Sequence, residues 1–241
     1  MGRSSQKVCY SPSQHVFLMK ALYGARLARF DLLRPIAYLA RNIHKWTTLD
    51  DKRLFRLMCY INSTLDLKMC GWVGDESKDL IIRCYTDADF AGCKETGRST
   101  TGGFLKLSGP YTSFPLDAVS KKQTCTAAST PEAETVAAFH VLKNLGMPAL
   151  HLYDILLGRN AQLDVMEDNQ AAAIIMKSGK SLALRHLDRV QRVSLSWLHQ
   201  CCQRPEVQVQ YINSEKESAD IFTKPFLESE KWTHTTRMIN H

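Results

Sequence analysis

The chain has 241 residues, of which 44% are hydrophobic and 23% charged, with a formal net charge of +7; this balance predicts a soluble globular protein with one good-sized core and a smaller second unit. No apolar run reaches the roughly 18 residues of a membrane helix, and Met1-Gly2-Arg3-Ser4 leads into no signal-peptide core. The eight cysteines form no C-x-x-C pair, so neither a disulfide framework nor a zinc site is indicated, and an intracellular, reduced protein is expected.

The positive excess is unevenly placed. Residues 1–78 hold 13 Lys and Arg against 6 Asp and Glu, whereas residues 79–241 hold 18 of each. A first third that carries the whole excess fits contact with a polyanion, most simply nucleic acid; an ordinary solvated helix surface is the alternative. Residues 14–46 read as helix interrupted at Pro35, with Leu18, Leu22, Leu39 and Ile43 among its apolar positions. A second helix begins near Thr47-Thr48-Leu49-Asp50-Asp51 and runs through Phe55, Met58 and Ile61, with Lys52, Arg53 and Arg56 sharing part of one face. Residues 1–78 are thus expected to form a basic helical module, with Gly71 to Asp79 as the linker out of it.

Leu80, Ile81, Ile82 and Cys84 then form an apolar run that ends on Asp87, which reads as a buried strand delivering a carboxylate. Gly97 to Gly103 reads as a turn, Phe104 to Leu107 as a second strand, and a third strand falls within Tyr111 to Ser120, giving an antiparallel meander. Ser129-Thr130-Pro131-Glu132 is a helix start. From Glu134, the helical steps reach Ala137, Ala138, Val141, Leu142 and Leu145, all apolar, while from Glu132 they reach Thr135, Val136, Phe139, His140 and Lys143, a mixed face. Glu134 therefore lies on the stripe that packs on the sheet, and Glu132 is placed for capping.

A helix over about 149–157, a fourth strand over Gln162 to Met166 ending at Asp168, and a short helix stopped by Gly179 follow. Arg185 to Gln200 reads as one further helix, Val207 to Tyr211 as a fifth strand, and Ser218 to Phe222 as the start of a last helix broken at Pro225. The tail, 228–241, has no usable pattern. The element order predicts an α/β (α+β) layer with helices on a sheet. Asp87, Glu134, Asp168 and Asp220, contributed by strand, helix, strand end and last helix, suit a site for two hard cations, since magnesium prefers oxygen ligands.

The order of elements and acids resembles ribonuclease H. More closely, Tyr85-Thr86-Asp87-Ala88-Asp89-Phe90-Ala91-Gly92, Arg98-Ser99-Thr100-Thr101-Gly102, Ser120-Lys121-Lys122-Gln123, Glu132-Ala133-Glu134, Asp168-Asn169 and Ala219-Asp220-Ile221-Phe222-Thr223-Lys224-Pro225 are similar to the C-terminal region of copia-type retrotransposon Pol polyproteins, and Arg34-Pro35-Ile36-Ala37-Tyr38 through Asp66-Leu67 to the end of that family's reverse transcriptase. The resemblance implies a ribonuclease H-like domain over 79–227 with a five-stranded mixed sheet, cleaving the RNA strand of RNA–DNA hybrids. It implies two magnesium ions, with manganese as a substitute, held by Asp87, Glu134, Asp168 and Asp220. Arg98, Lys121, Lys122, Arg185 and Arg189 join Lys52, Arg53 and Arg56 as expected nucleic-acid contacts. The remaining Pol segments, reverse transcriptase and integrase, are expected partners, in the cytoplasm within a virus-like particle or in the nucleus. A catalytically silent remnant that binds nucleic acid or a partner is the alternative reading, and a transposase or integrase on the same fold fits the motifs less well.

Overall fold

The computed structural model describes residues 12–241, which fall into two compact units: residues up to Met69 together with His241, and Cys70–Asn240. In the first unit, α1 (Pro12–Ala28), α2 (Leu33–Arg41) and α3 (Thr48–Ser63) are linked by short 3-10 turns at Phe30–Leu32 and Ile43–Lys45. The helical run breaks at Arg29 rather than at the expected Pro35. Pro35 instead sits in the first turn of α2, where its missing N–H leaves no helical bond unmade.

Leu18, Phe30, Ile36, Leu39, Leu54 and Leu57 form this unit's interior. Phe55 and Met58, which the α3 pattern passes through, are exposed, so the buried stripe of α3 runs one position earlier in each turn. Its start is fixed by Asp50, whose carboxylate accepts the Thr47 backbone N–H at 3.1 Å and the Thr47 hydroxyl at 2.7 Å. Buried Asp31 accepts from Arg29 Nη2 at 2.8 Å and from the Tyr60 hydroxyl at 2.9 Å, which satisfies a charge that burial alone would penalise.

The second unit is built on one five-stranded mixed sheet in the order β3-β2-β1-β4-β5, with strands at Ile81–Asp89, Thr100–Gly109, Thr112–Lys122, Leu163–Glu167 and Val207–Tyr211 for β1 to β5. β1 pairs antiparallel with β2, and β2 with β3; β4 runs parallel to both β1 and β5. This is the five-stranded mixed sheet, with helices packed on it, that the motif resemblance implied. α4 (Thr130–Val141) packs on β1 and β2, and passes through a π-helical turn at Leu142–Gly146 into α5 (Met147–Leu157). α6 (Gln170–Ser178) ends at Gly179, whose φ of 66° provides the left-handed cap. The core beneath these helices gathers Ile82, Cys84, Leu105, Val141, Leu142, Leu163, Val165 and Met176.

Several boundaries differ from the sequence expectation. Residues 70–79 pack in the second unit instead of linking the two: Trp72 pairs with Ser113 at the β3 edge, and the backbone N–H groups of Gly74 and Asp75 bond the Thr112 hydroxyl. The single helix expected over 185–200 is two, α7 (Leu187–Gln191) and α8 (Leu195–Cys202), because Arg192 takes a left-handed φ of 55° and buried Val193 turns into the core. The helix expected from Ser218 is a 3-10 turn ending at Phe222. The patternless tail forms α9 (Ser229–Met238), and Asn240 just beyond it bonds Cys70 and Ser113.

Gly102 and Gly103, expected in a turn, lie inside β2, and they explain how both sheet faces are covered so closely. Alternation along β2 puts them on opposite faces. A Cβ at Gly103 would meet Val141 Cγ2 of α4 at 2.6 Å, and one at Gly102 would meet Thr223 Cγ2 at 2.5 Å and the Ala219 carbonyl at 2.8 Å. At Gly102 the Ala219 carbonyl is backbone, so a rotamer change at Thr223 cannot relieve the whole clash. Gly102→Ala is therefore expected to destabilise the second unit by about 1–3 kcal/mol in urea unfolding. Gly24→Ala in α1, where a Cβ meets nothing within 4 Å, should be neutral or stabilising by up to about 1 kcal/mol. Equal effects at the two positions would show that the close approach at Gly102 has been misjudged.

Candidate functional site

Because β1 and β4 run parallel and are paired Thr86 to Glu167, their carboxyl ends lie side by side, the place where open α/β sheets hold their ligands. Asp87 stands near the end of β1, opposite Gly102, and Asp168 directly follows β4. The 3-10 turn at Ser218–Phe222 brings in Asp220 on the Gly102 side, held by a 2.6 Å bond from the Ser120 hydroxyl to the Phe222 carbonyl. Carboxylate oxygens of Asp87, Asp168 and Asp220 lie within 4.8 Å of one another. Glu134, on α4, is buried, and its Oε2 has no hydrogen-bond partner.

Electrostatics tie these groups together. Burial pushes the Glu134 carboxyl far above the ordinary glutamate range, and the charges of Asp87, Glu167 and Asp168 add to the rise. Burial also raises Asp87, against the pull of the Lys224 ammonium and the Thr223 hydroxyl, and brings Asp220 up to about 7 with help from the charge of Asp87. Sequence reasoning missed two further acids. Glu167 is fully buried and pushed up to about 8 by burial, although its carboxylate accepts the Thr86 hydroxyl at 2.7 Å and the Asn169 N–H at 3.1 Å. Glu217 is raised well above its usual range by burial; it accepts the Ala219 N–H at 2.7 Å, and its Oε2 has no partner. Strand alternation could have found Glu167, since it shares the inward face with Leu163 and Val165. Glu217 carries no local signal.

Thr223 and Lys224 also belong here, although no role was read for them. The Thr223 hydroxyl donates to Asp87 Oδ2, and Lys224 Nζ lies 2.5 Å from Asp220 Oδ1 and 3.3 Å from Asp87 Oδ1. Glu132 does not close the expected capping box: the Ser129 hydroxyl accepts the Glu132 N–H at 3.3 Å, but the Glu132 side chain does not return to Ser129. Its Oε2 accepts the Ala128 N–H at 2.9 Å, and its Oε1 meets His186 Nε2 at 3.1 Å and Gln191 Nε2 at 3.0 Å, pinning the segment that carries Arg185 and Arg189 to the start of α4.

Of the expected nucleic-acid contacts in the first unit, Lys52 and Arg56 are exposed one turn apart on α3, whereas Arg53 is engaged by Asp50 at 3.0 Å and lies over the Tyr38 ring at 4.9 Å. In the second unit Arg98, Lys121, Arg185 and Arg189 are exposed, while Lys122 donates to Cys93 Sγ at 2.9 Å. Two properties fit divalent cations to the acidic cluster. Its donors are carboxylate oxygens, which hard cations prefer, and a buried carboxylate oxygen of Glu134 has no proton donor.

No protein-family model matches the chain. Over 147 residues, 61% of the chain, it is 31% identical to the retrovirus-related Pol polyprotein from transposon TNT 1-94 of Nicotiana tabacum, and covers 10% of that protein. Over 123 residues, 51% of the chain, it is 28% identical to an uncharacterized mitochondrial protein of Arabidopsis thaliana, of which it covers 48%. The chain therefore spans less than half the length of either relative. Among solved structures it is similar to LC11-RNase H1 in complex with an RNA/DNA hybrid, at TM-score 0.42 and 17% identity over 59% of this chain and 93% of that one. A foamy viral protease-reverse transcriptase dRH in complex with double-stranded DNA matches at TM-score 0.44 and 12% identity over 93% of this chain and 34% of that one.

The raised carboxyls make a signed prediction. An acid whose folded pKa exceeds its unfolded value supports stability fully below the unfolded pKa and loses that support as pH rises through the folded one. For Glu167 the window runs from the ordinary 4.5 to about 8, and Asp220 acts in the same direction. Without divalent ions, the melting temperature of the second unit should fall from about pH 5 to about pH 8, and magnesium should flatten the decline. A metal-free melting temperature that is constant or rises over this range would contradict the clustering of these acids.

Proposed function

We propose that this chain, a relative of the C-terminal region of copia-type retrotransposon Pol polyproteins, is a metal-dependent endonuclease that hydrolyses the RNA strand of RNA–DNA hybrids. The observation that carries the reading is the convergence of Asp87, Asp168 and Asp220, with Glu134 buried beside them, at the joined carboxyl ends of β1 and β4. In this reading Asp87, Glu134, Asp168 and Asp220 hold two magnesium ions, or manganese in their place. When bound, such ions supply an activated water and offset charge on the leaving 3′-oxygen.

The chain's own groups prepare for this. Thr223 orients the Asp87 carboxylate, Thr86 and the Asn169 N–H hold Glu167 behind Asp168, and burial of Asp87 and Glu134 keeps water from competing for their oxygens. Arg98, Lys121, Arg185 and Arg189 are exposed to meet backbone phosphates, and hybrid is told from DNA duplex by shape and 2′-hydroxyl contacts. The proposed setting is intracellular, beside the remaining segments of a Pol polyprotein.

Cleavage of a labelled hybrid tests the reading. Asp168→Asn and Glu134→Gln should each lower the magnesium-dependent rate by at least about a hundredfold while the fold is kept, whereas Glu132→Gln should retain most activity, because its amide oxygen still accepts from Ala128 and its amide N–H meets Gln191 Oε1 once that amide turns over. Unchanged cleavage by Asp168→Asn would sink the site assignment, and hybrid binding without cleavage by the wild type would favour the silent-remnant reading.

The charge of the first unit gives a second test. Each phosphate neutralised should steepen the fall of log affinity against log salt by roughly 0.9 for a B-form duplex. Replacing Lys52 and Arg56 by alanine should therefore weaken hybrid binding and make the salt slope shallower without altering magnesium affinity. An unchanged slope would assign these charges to ordinary solvated surface.

A further inference from the structure

Lys224 is held in an unusual place for a flexible cation. Its ammonium lies between Asp220 Oδ1, at 2.5 Å, and Asp87 Oδ1, at 3.3 Å, two of the three acids whose oxygens come together. The backbone that carries it is fixed: the Lys224 N–H bonds the Asp220 carbonyl at 2.9 Å, the Thr223 N–H bonds it at 3.1 Å, and Pro225 follows. The side chain is not fixed in the same way. It is 40% exposed, against 1% for Asp87 and 17% for Asp220, so a rotation about its own bonds takes the ammonium to solvent while the carboxylates stay.

A cluster of buried acids cannot remain ionised without positive charge beside it. A lysine ammonium is a compact point charge that supplies this without the rigid fork of an arginine. The oxygens it occupies are ones that a divalent ion would ligate, and two cations drawn to the same carboxylates repel one another. We propose that Lys224 is the internal counter-cation of the site: it holds Asp87 and Asp220 together in the metal-free protein and is displaced from them when a divalent ion enters. This rests on the metal-site reading above. Lys224 is on this account a positioning residue that sets the threshold of metal binding, since entering ions must compete with a charge already in place.

Calorimetric titration of magnesium and manganese into the full chain, with melting curves at each metal concentration, tests this. Lys224→Met keeps the side chain's length and removes its charge. The metal-free variant should melt lower than the wild type, and its magnesium Kd should be tighter by between roughly fivefold and about a thousandfold, the range for removing one unit charge about 4 Å away at effective dielectrics of about 80 and about 20. Lys224→Arg should keep the metal-free stability and show no gain in affinity. Magnesium binding by Lys224→Met that is equal to or weaker than wild type overturns the proposal alone. No magnesium binding by the wild type overturns the metal reading and the proposal with it. Should Lys224→Met fail to fold without metal, recovery of the fold by magnesium supports the proposal, and failure to recover at saturating magnesium overturns it.

Discussion

Mutual repulsion among carboxylates brought to the ends of two parallel strands is the constraint on which the second unit depends. Asp87, Glu134, Glu167 and Glu217 are buried, and Asp168 and Asp220 are partly so. Packing them together opposes folding unless protons, hydrogen bonds or cations offset the charge. The surroundings supply part of this. Thr86 and Thr223 donate hydroxyls, Asn169 and Ala219 donate backbone N–H groups, and Lys224 adds an ammonium. Two oxygens, on Glu134 and Glu217, are left without donors. An arrangement kept at this cost to stability is the mark of a site built for something other than stability.

The fold serves that concentration from both faces of the sheet. α4, which carries Glu134 near its start, packs Val141 over Gly103, and the Ser218–Phe222 turn with Thr223 just after it packs over Gly102, so that two adjacent residues without side chains let both layers approach β2. Phe222 anchors the turn against Phe104, whose ring centroid is 6.2 Å away, on the same face as Gly102. Glu132, two residues before Glu134, ties His186 and Gln191 to the same helix start. Exposed Arg185 and Arg189 are thereby fixed relative to the acids, giving the unit a cationic segment at a set distance from its anionic cluster.

Most strands were legible because their signals are local. The runs at Ile81, Leu163 and Val207 alternate or are continuously apolar, whereas the stripe argument expected Glu134 on the packed face and Glu132 on a mixed one, and both are buried, Glu132 among His186, Gln191 and the Ala128 N–H. What was not legible depends on partners distant in sequence. Gly102 and Gly103 look like a turn because their reason for being glycine lies in Val141, Ala219 and Thr223. The break at Arg192 is set by the burial of Val193. α9 has no apolar stripe of its own, and the residue after it is held by Cys70 and Ser113. Glu217 joined the site only once the chain was folded, since nothing in its neighbours' pattern distinguishes it from a surface charge, and Lys224, though inside the Ala219–Pro225 motif, had no role that local pattern could assign.

Anomalous diffraction from crystals of the full chain soaked in manganese tests the central claim most directly, because it locates the ion without relying on turnover. The account predicts manganese peaks ligated by Asp87, Asp168 and Asp220, with Glu134 on the same centre. Manganese found only at surface acids, with Asp87, Asp168 and Asp220 carrying no peak, would contradict it.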